Sequence, residues 1–531
     1  MKIAVINTGG TISCVGNPLA PMSAKDFGNA SQALLDPILH QQFPDTQIAY
    51  LTQITFPESA SVTLDSTNLQ PTDWCIMASA ILANYAAYDG FVVLHGTDSM
   101  DFSGTALSFL LNSFDVQGFA TAALSKPVII TGSQMPMYYQ AGASSALTLN
   151  FNTDAFQNFC GAIAAARTGV PEVCAYFQNH LYRGNRAMKT NASEFNAFSS
   201  PNYPYLAEYG VALTLYGSNW LPGPVKRSIS LDNAQVLAGQ QSTLNQIAQT
   251  IDTVPVMQLN AFPASYSMSP ARSFMADLIN GVVMAGAKGI ILESYGEGNF
   301  PSGNPDKPAS GAIYQALSAA NDNGIHIVDC TQVICGTVNN GAYAAGAWLP
   351  QIGAMSPADM TPMAATVKLM VLMAAAPGND WTPGQIRTLF QTNLAGEMTS
   401  IDNLDSRANG TLLPGQALST LDGSATLSND QTLGPVLRGA GNPTPLWSAP
   451  VTWDPDDLPV RLVIQNDGNL VIYSRSNQAL WATNTGLPEG AASRLVLSGH
   501  YDAVNPGKST LRLQVFNYCA MTTSATLYRA Q

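Results

Sequence analysis

Six short runs of the chain are almost continuously apolar: KIAVIN (2–7), DGFVVLHG (89–96), KPVIITGS (126–133), VPEVCAYF (170–177), GIILESYG (289–296) and GIHIVDCT (324–331). Runs of this length and composition read as strands covered on both faces, which is the condition of a parallel sheet flanked by helices. Between them, stretches such as 100–114 and 359–376 carry apolar residues at helical spacing. The alternation predicts an α/β fold up to about residue 405, and in such folds the chemistry gathers outside the carboxyl ends of the strands.

The pattern breaks near LYGSNWLPGPVKRSISLDN and resumes near Val254, so the chain divides into a larger unit (1–210), a connection (211–250) and a smaller unit (251–405). From 406 to 531 the composition shifts to Gly, Asn, Asp, Ser and Thr, and helical periodicity stops. RLVIQNDGNLVIYS alternates like a hairpin around Asp467-Gly468. PLWSAP (445–450) and ALWATN (479–484) read as one unit used twice, with Trp447 and Trp481 at matching places, and SNDQTL and QNDGNL precede them. A repeated short-strand unit predicts a small all-β module with pseudo-symmetry; 498–531 carries no recognisable third copy.

With 46% hydrophobic and 11% charged residues the 531-residue chain has ample material for two or three cores. Its formal net charge of −13 argues against a nucleic-acid partner or an anionic membrane surface, which demand basic patches. Seven dispersed cysteines, including Cys519, form no CxxC pair and read as reduced, buried thiols, with no metal site. No run reaches the ~18–20 apolar residues of a membrane helix. Because Met1–Ile6 already reads as a strand, no signal peptide is expected. The chain is therefore expected in the cytoplasm, with leaderless export as the other route.

Three turns in the first region carry chemistry. NTGGTI (7–12) puts adjacent glycines after the first strand and presents Thr11 on a tight turn. HGTDSM (95–100) sets Thr97 beside Asp98 where a strand gives way to a helix, with unpaired first-turn N–H groups at hand. A threonine hydroxyl needs a proton acceptor to act as a nucleophile. Asp98 reads either as a helix cap or as a partner for a substrate ammonium. Lys189, in a polar run too irregular for a solvated helix, reads as surface decoration or as a lysine that accepts a proton beside Asp98.

Taken in order, NTGGTI, LDSTNLQPTDW, DGFVVLHGTDSM, KPVIITGSQMP, LYRGNRAMKTN and ESYGEGN resemble the bacterial L-asparaginase family, closest to its cytoplasmic, type I branch. The resemblance runs from Met1 to about Asp402, with TLFQTNLAGEMTS resembling the family's last helix. It implies two α/β domains, no cofactor, a homodimer or homotetramer, and conversion of L-asparagine to L-aspartate and ammonia through a threonine acyl-enzyme, with glutamine as a possible second substrate. By the same resemblance Thr11 is the nucleophile and Lys189 the proton acceptor. Thr97 positions water, Asp98 binds the substrate α-amino group and Ser66 holds its α-carboxylate.

The family's tyrosine in the loop after TGGTI is missing; Leu19 stands there, and Tyr343 of GAYAAG is the expected substitute, ahead of Tyr138 and Tyr139. Asn68 stands where many members have aspartate, QAGASS (140–145) replaces a Ser-Asp-Gly stretch, and 115–124 reads as an insertion. Glu293 and Val333 occupy the positions of an arginine and a cysteine used for allosteric activation in some type I enzymes, so that regulation is not expected.

QNDGNLVIY (465–473) fits Q-x-D-x-N-x-V-x-Y and resembles the bulb-lectin, monocot mannose-binding family, whose domain is an all-β, β-prism-like fold. The resemblance implies that Gln465, Asp467, Asn469 and Tyr473 hydrogen-bond a mannose-type glycan while Val471 packs on the ring. The upstream SNDQTLGPV (428–436) lacks the Gln, Asn and Tyr and reads as structural. The alternative to a glycan-reading asparaginase is a carbohydrate-binding protein on a weakly active or inactive scaffold.

Overall fold

The computed structural model describes the chain apart from residues 60–62, 117, 143–144, 222, 225, 339–342, 399–401, 407–408, 421–422, 455, 487–492, 518–521 and 531. Cys519 and part of QAGASS lie outside the described residues.

The six apolar runs are all strands. The large sheet is built from β1 (Lys2–Asn7), β2 (Gln47–Leu51), β3 (Gly90–Leu94), β4 (Val128–Thr131), β5 (Val173–Phe177), β6 (His180–Arg183), β7 (Ala207–Tyr209) and β8 (Leu213–Leu215), in the order β8-β7-β6-β5-β4-β3-β1-β2. Strands β1 to β5 run parallel, and β6 to β8 add antiparallel pairs at one edge. Because β1 and β3 are neighbours in parallel register, with Asn7 opposite Leu94, the turns that follow them lie side by side. NTGGTI and HGTDSM are those turns.

A second parallel sheet holds β9 (Val256–Asn260), β10 (Gly289–Ser294) and β11 (His326–Thr331), with β10 in the middle. The two sheets share one buried cluster: Phe91 and Val93 belong to it, and so do Ile291 and Val328. Four helices fill that layer, Pro71–Asn84, Met100–Leu110, Ala234–Thr250 and Pro362–Asn379. The stretch expected as a connection is thus half helix: Asn233 caps Ala234–Thr250, and Leu244 and Ile247 are buried. Its sequence hid this because most of the other positions are polar. Pro362–Asn379 starts on the Thr361 cap with Pro362 in the first turn, where its missing N–H costs nothing. Among the described residues no helix is long and apolar enough to cross a membrane.

TLFQTNLAGEMTS is helical only to Phe390; the helix is Pro383–Phe390, and Gln391 onward leaves it. The cause is a buried ion pair. Lys368, fully inaccessible on the long helix, donates to the Phe390 and Thr392 carbonyls and to Glu397, while Glu397 accepts the Leu394 and Ala395 N–H groups. Burial pulls the Lys368 ammonium downward in pKa and the Glu397 charge opposes that.

From Asn403 onward the chain forms three four-stranded antiparallel sheets around one apolar cluster. One contains Thr411–Leu412, Arg461–Ile464, Leu470–Tyr473 and Ala479–Ala482; a second contains Ala417–Ser419, Ala425–Asp430, Gly434–Gly439 and Trp447–Ser448. Trp447 and Trp481 sit on the last strands of these two sheets and meet edge to face, 6.5 Å between centroids. The third sheet, with Asn403–Asp405, Ser493–Ser498, Arg512–Asn517 and Thr522–Arg529, has no motif to announce it. It is held by plain alternation, with Leu495, Leu497, Leu513 and Val515 all inaccessible. Of the described cysteines four are buried, Cys160 is half-buried and Cys335 is exposed, against the expectation of uniformly buried thiols.

Replacing Glu397 with Ala leaves the buried Lys368 charge uncompensated and is expected to cost about 3–5 kcal/mol. Urea denaturation of Glu397→Ala beside a Lys368→Met/Glu397→Leu double variant checks this: the double variant is expected to recover only part of the loss, because the Phe390 and Thr392 carbonyls and the Leu394 and Ala395 N–H groups lose their partners.

Candidate active site

The turns after β1 and β3 are pressed together with no room for side chains. Gly10 lies against the Gly96 backbone, where a Cβ would come within 2.3 Å of the Gly96 Cα. Thr8 N–H donates to the Leu94 carbonyl (3.0 Å), and Gly10 N–H donates to Leu64 (2.9 Å). Thr11 and Thr97 therefore each follow directly on one of two touching glycines. Thr11 is half-buried at the start of a short 3-10 turn, and its hydroxyl has no hydrogen-bond partner among the described residues. The segment 64–68 completes the floor. The Ser66 hydroxyl is buried without a partner, and a Cβ on Gly96 would run into it at 2.3 Å.

Lys189 is carried on a short hairpin, Met188–Lys189 with Phe198–Ser199. Its Nζ donates to Thr97 Oγ1 at 2.8 Å and to Asp98 Oδ1 at 2.6 Å. The Asp98 carboxyl is held below the usual carboxylate range, first by its hydrogen bond from Lys189. Thr67 Oγ1 donates to the other carboxylate oxygen at 3.3 Å. The Lys189 side chain is 19% exposed and the Asp98 side chain 60%, so the ion pair lines an opening rather than a sealed core.

What aims Lys189 is the LYRGNR segment. Gly104 and Gly184 touch, which brings this loop down on helix Met100–Leu110. Arg183 pairs with buried Glu172 at 2.6 Å and donates to the Gly396 carbonyl. Asn185 donates to Ala395, and Arg186 forks onto Asp359 while donating to the Glu397 carbonyl at 2.6 Å. Asp101, buried and pushed up to about 6 by desolvation, accepts the Lys189 N–H at 3.3 Å.

These residues carry a recognisable constellation, and two family models match it: "Asparaginase, N-terminal" over residues 2–220 and "Glutaminase/Asparaginase C-terminal domain" over 271–390. The L-asparaginase 1 of Escherichia coli is 32% identical over 402 residues, covering 76% of this chain and 99% of that protein. The chain belongs to the asparaginase family. A 60 kDa lysophospholipase of Mus musculus is also 32% identical, over 363 residues that make up 68% of this chain and 53% of that one. The crystal structure of L-asparaginase I from Vibrio cholerae superposes with a TM-score of 0.56 at 29% identity, covering 75% of this chain and 99% of that chain. These two relatives and this structure align with at most 76% of the chain, and both matched models end before the antiparallel sheets begin.

Within this asparaginase-family site the structure brings together Ser66, Thr97, Asp98 and Lys189, next to Thr11. Tyr343 is 58% exposed and its side chain makes no hydrogen bond among the described residues. Tyr138 is buried against Phe27 and hydrogen-bonded to Ser31, so it is a core residue; Tyr139 points outward. The stretch after Thr11 forms a small hairpin, Cys14–Val15 with Ala20–Pro21, and Leu19 lies exposed near its tip. Asn68 closes the short turn Ser66–Asn68 that Asp65 caps. Glu293 is half-buried beside Asn260 and Val333 is exposed.

A relay behind the site escaped the sequence reading. Trp74 Nε1 donates to Ser103 Oγ (3.1 Å), Ser103 meets His95 Nε2 (2.9 Å), and His95 Nδ1 meets the Gly96 carbonyl (2.7 Å). A carbonyl only accepts, so a proton is on Nδ1; burial disfavours the charged ring, and the neutral imidazole then accepts from Ser103 at Nε2. The pattern was present in the sequence, His95 and Ser103 eight residues apart, but only the fold folds them onto one another.

Burial holds His95 down at about 4. The unfolded chain therefore takes up its proton first: His95 contributes stability above about pH 6.5 that is lost as the pH falls toward 4. Asp73 and Asp101, both pushed up to about 6 by burial, contribute the opposite slope, present at low pH and lost as the pH rises through 6. The His95 component is expected to be about 2 kcal/mol between pH 7 and 5. The difference between wild type and His95→Gln in urea denaturation at the two pH values isolates it.

Proposed function

We propose that this asparaginase-family chain hydrolyses L-asparagine to L-aspartate and ammonia by way of a threonine ester. The observation that carries the reading is the Lys189 Nζ bridging Thr97 Oγ1 and Asp98, beside the hydroxyls of Thr11 and Ser66, which have no partner among the described residues. A zwitterionic amino acid fits such a setting. Its α-ammonium goes to the exposed Asp98 carboxylate and its α-carboxylate to the buried Ser66 hydroxyl, which has no other partner. Fixing both ends orients the side-chain amide, and orientation alone can supply much of a rate.

Substrate binding also sets the α-ammonium on the carboxylate that Lys189 shares, and Lys189 is the group that takes a proton through Thr97. In the first half-reaction Thr11 Oγ1 bonds the amide carbon, its proton passes to the departing nitrogen, the C–N bond breaks and ammonia leaves. In the second, water positioned by Thr97 gives a proton to Lys189 and attacks the ester carbon. The bond to Thr11 breaks, and the proton returns to the threonine oxygen as aspartate is released.

Ammonia release with asparagine and with glutamine tests this. Thr11→Ala is expected to abolish it, and Lys189→Met to lower kcat about 10²–10⁴-fold. Asp98→Ala is expected to raise KM as well, because it removes ground-state binding. A wild type that releases no ammonia from either amide favours the carbohydrate-binding alternative, to which the exposed Tyr343 and the tyrosine-free hairpin lend weight.

For the C-terminal module we infer a glycan site, of mannose type, on strand Leu470–Tyr473 and the turn before it. Val471, 3% exposed, is the floor; Gln465 Nε2 donates to Tyr473 Oη at 2.8 Å, and Asp467 Oδ1 accepts the Asn469 N–H. Asn469 Oδ1 accepts from Thr483. These bonds fix the side chains and leave Gln465 Oε1, Asp467 Oδ2, the Asn469 amide hydrogens and the Tyr473 O–H for sugar hydroxyls. The sister strand cannot serve: Asn429 is buried and spends its amide on Leu412 and Val460. A single site of this kind binds weakly, so a homodimer or homotetramer is the form in which it would retain glycans. Gln465→Ala and Asn469→Ala are expected to abolish retention on immobilised mannose while leaving ammonia release unchanged; undiminished retention refutes the site.

A further inference from the structure

A cavity of about 140 Å³ lies where the inserted hairpin, the loop at 221–229 and the C-terminal module converge. Phe114 and Phe119 come from the hairpin Ser113–Phe114 with Ala120–Ala122, Leu221 from the loop, Leu394 from the segment after the last helix, and Leu413 from the module. The polar groups in its wall are largely spent on the protein. Glu172 takes Arg183 on one oxygen and the Leu221 N–H on the other. Asn112 donates to Ser108 and accepts from Leu124, and Gln416 donates to Asn393 and accepts from Leu413. The space therefore presents mostly carbon. Two exposed cations, Lys226 and Arg475, are part of its lining; Lys226 donates to the Leu458 carbonyl at 3.1 Å, and Arg475 lies 3.6 Å from Asp115.

About 150 Å³ of apolar cavity is enough to take up benzene. We propose that the cavity binds a small amphiphilic carboxylate, an aryl ring or a chain of about six to eight carbons, with its body among Phe114, Phe119 and Leu413 and its carboxylate at Lys226 and Arg475. An apolar body gains from leaving water, and a carboxylate at the rim keeps its solvation while meeting two cations. None of these residues belongs to the asparagine site, so the inference stands apart from the reaction.

Calorimetric titration of the full chain with 3-phenylpropanoate tests it. Binding is expected at about 1 mM or below. Ala123→Phe, which fills the wall, is expected to abolish it while ammonia release and circular dichroism stay as in wild type. Lys226→Ala and Arg475→Ala, both on the surface, are expected to weaken it about three- to fivefold each. They keep the idea testable should the filled variant fail to fold. No binding by the wild type, or binding that neither the filled wall nor the two surface variants change, overturns the site. Equal affinity for 3-phenylpropanol overturns the carboxylate half of the proposal.

Discussion

One buried lysine–glutamate pair settles the geometry of much of this molecule. Lys368 and Glu397 are both wholly inaccessible, and a charge removed from water survives only when its valences are filled. Filling them bends the chain after Phe390 into a loop whose Phe390 and Thr392 carbonyls face Lys368, whose Leu394 and Ala395 N–H groups face Glu397, and whose next three carbonyls turn to other neighbours. Those carbonyls, of Ala395, Gly396 and Glu397, are what Asn185, Arg183 and Arg186 bind. The loop that delivers Lys189 thus takes its position from an ion pair that touches no substrate. Two leucines of suitable shape would pack as well, but they would offer no ladder of carbonyls to three neighbouring side chains.

The site combines two kinds of environment. Behind it everything is spoken for: the glycine contacts leave no space, and the Trp74–Ser103–His95 relay uses each donor and acceptor once. In front, Asp98 faces the opening, and the hydroxyls of Thr11 and Ser66 have no hydrogen-bond partner among the described residues. An unpartnered buried hydroxyl costs stability, which makes Ser66 informative in a way that the well-satisfied Asp101 is not. Rigid support and unsatisfied valence are separate devices, and the same short segments, 95–99 and 64–68, supply both.

Strands were legible wherever both faces are buried, because the interiors of KIAVIN and GIILES, Ile3–Ile6 and Ile290–Leu292, have no polar position to mislead. The glycine turns were legible too, since adjacent glycines after a strand mean close approach. What could not be read were features that arise from distance in sequence. The helix Ala234–Thr250 buries few residues and so carries only a thin apolar stripe. The third sheet of the module alternates without a tryptophan to mark it. Arg183 and Arg186 stood inside a recognised motif, yet their work depends on Glu172, Asp359 and the 395–397 loop, partners up to 213 positions away. The family likeness pointed to Tyr343, whose side chain is 58% exposed and makes no hydrogen bond among the described residues. A pattern names residue types; only packing decides which of them meet.

Leu413 belongs to the strand-rich module by sequence, yet it is buried in the same apolar cluster as Phe91 and Leu394 of the catalytic region. Gln416 reinforces the seam from the module side by donating to Asn393 at 2.5 Å. The fusion is accordingly not a pair of beads on a tether. A chain cut near residue 405 would keep its whole reaction centre but carry a greasy socket on its flank, and its shelf life would be set by self-association long before its chemistry failed.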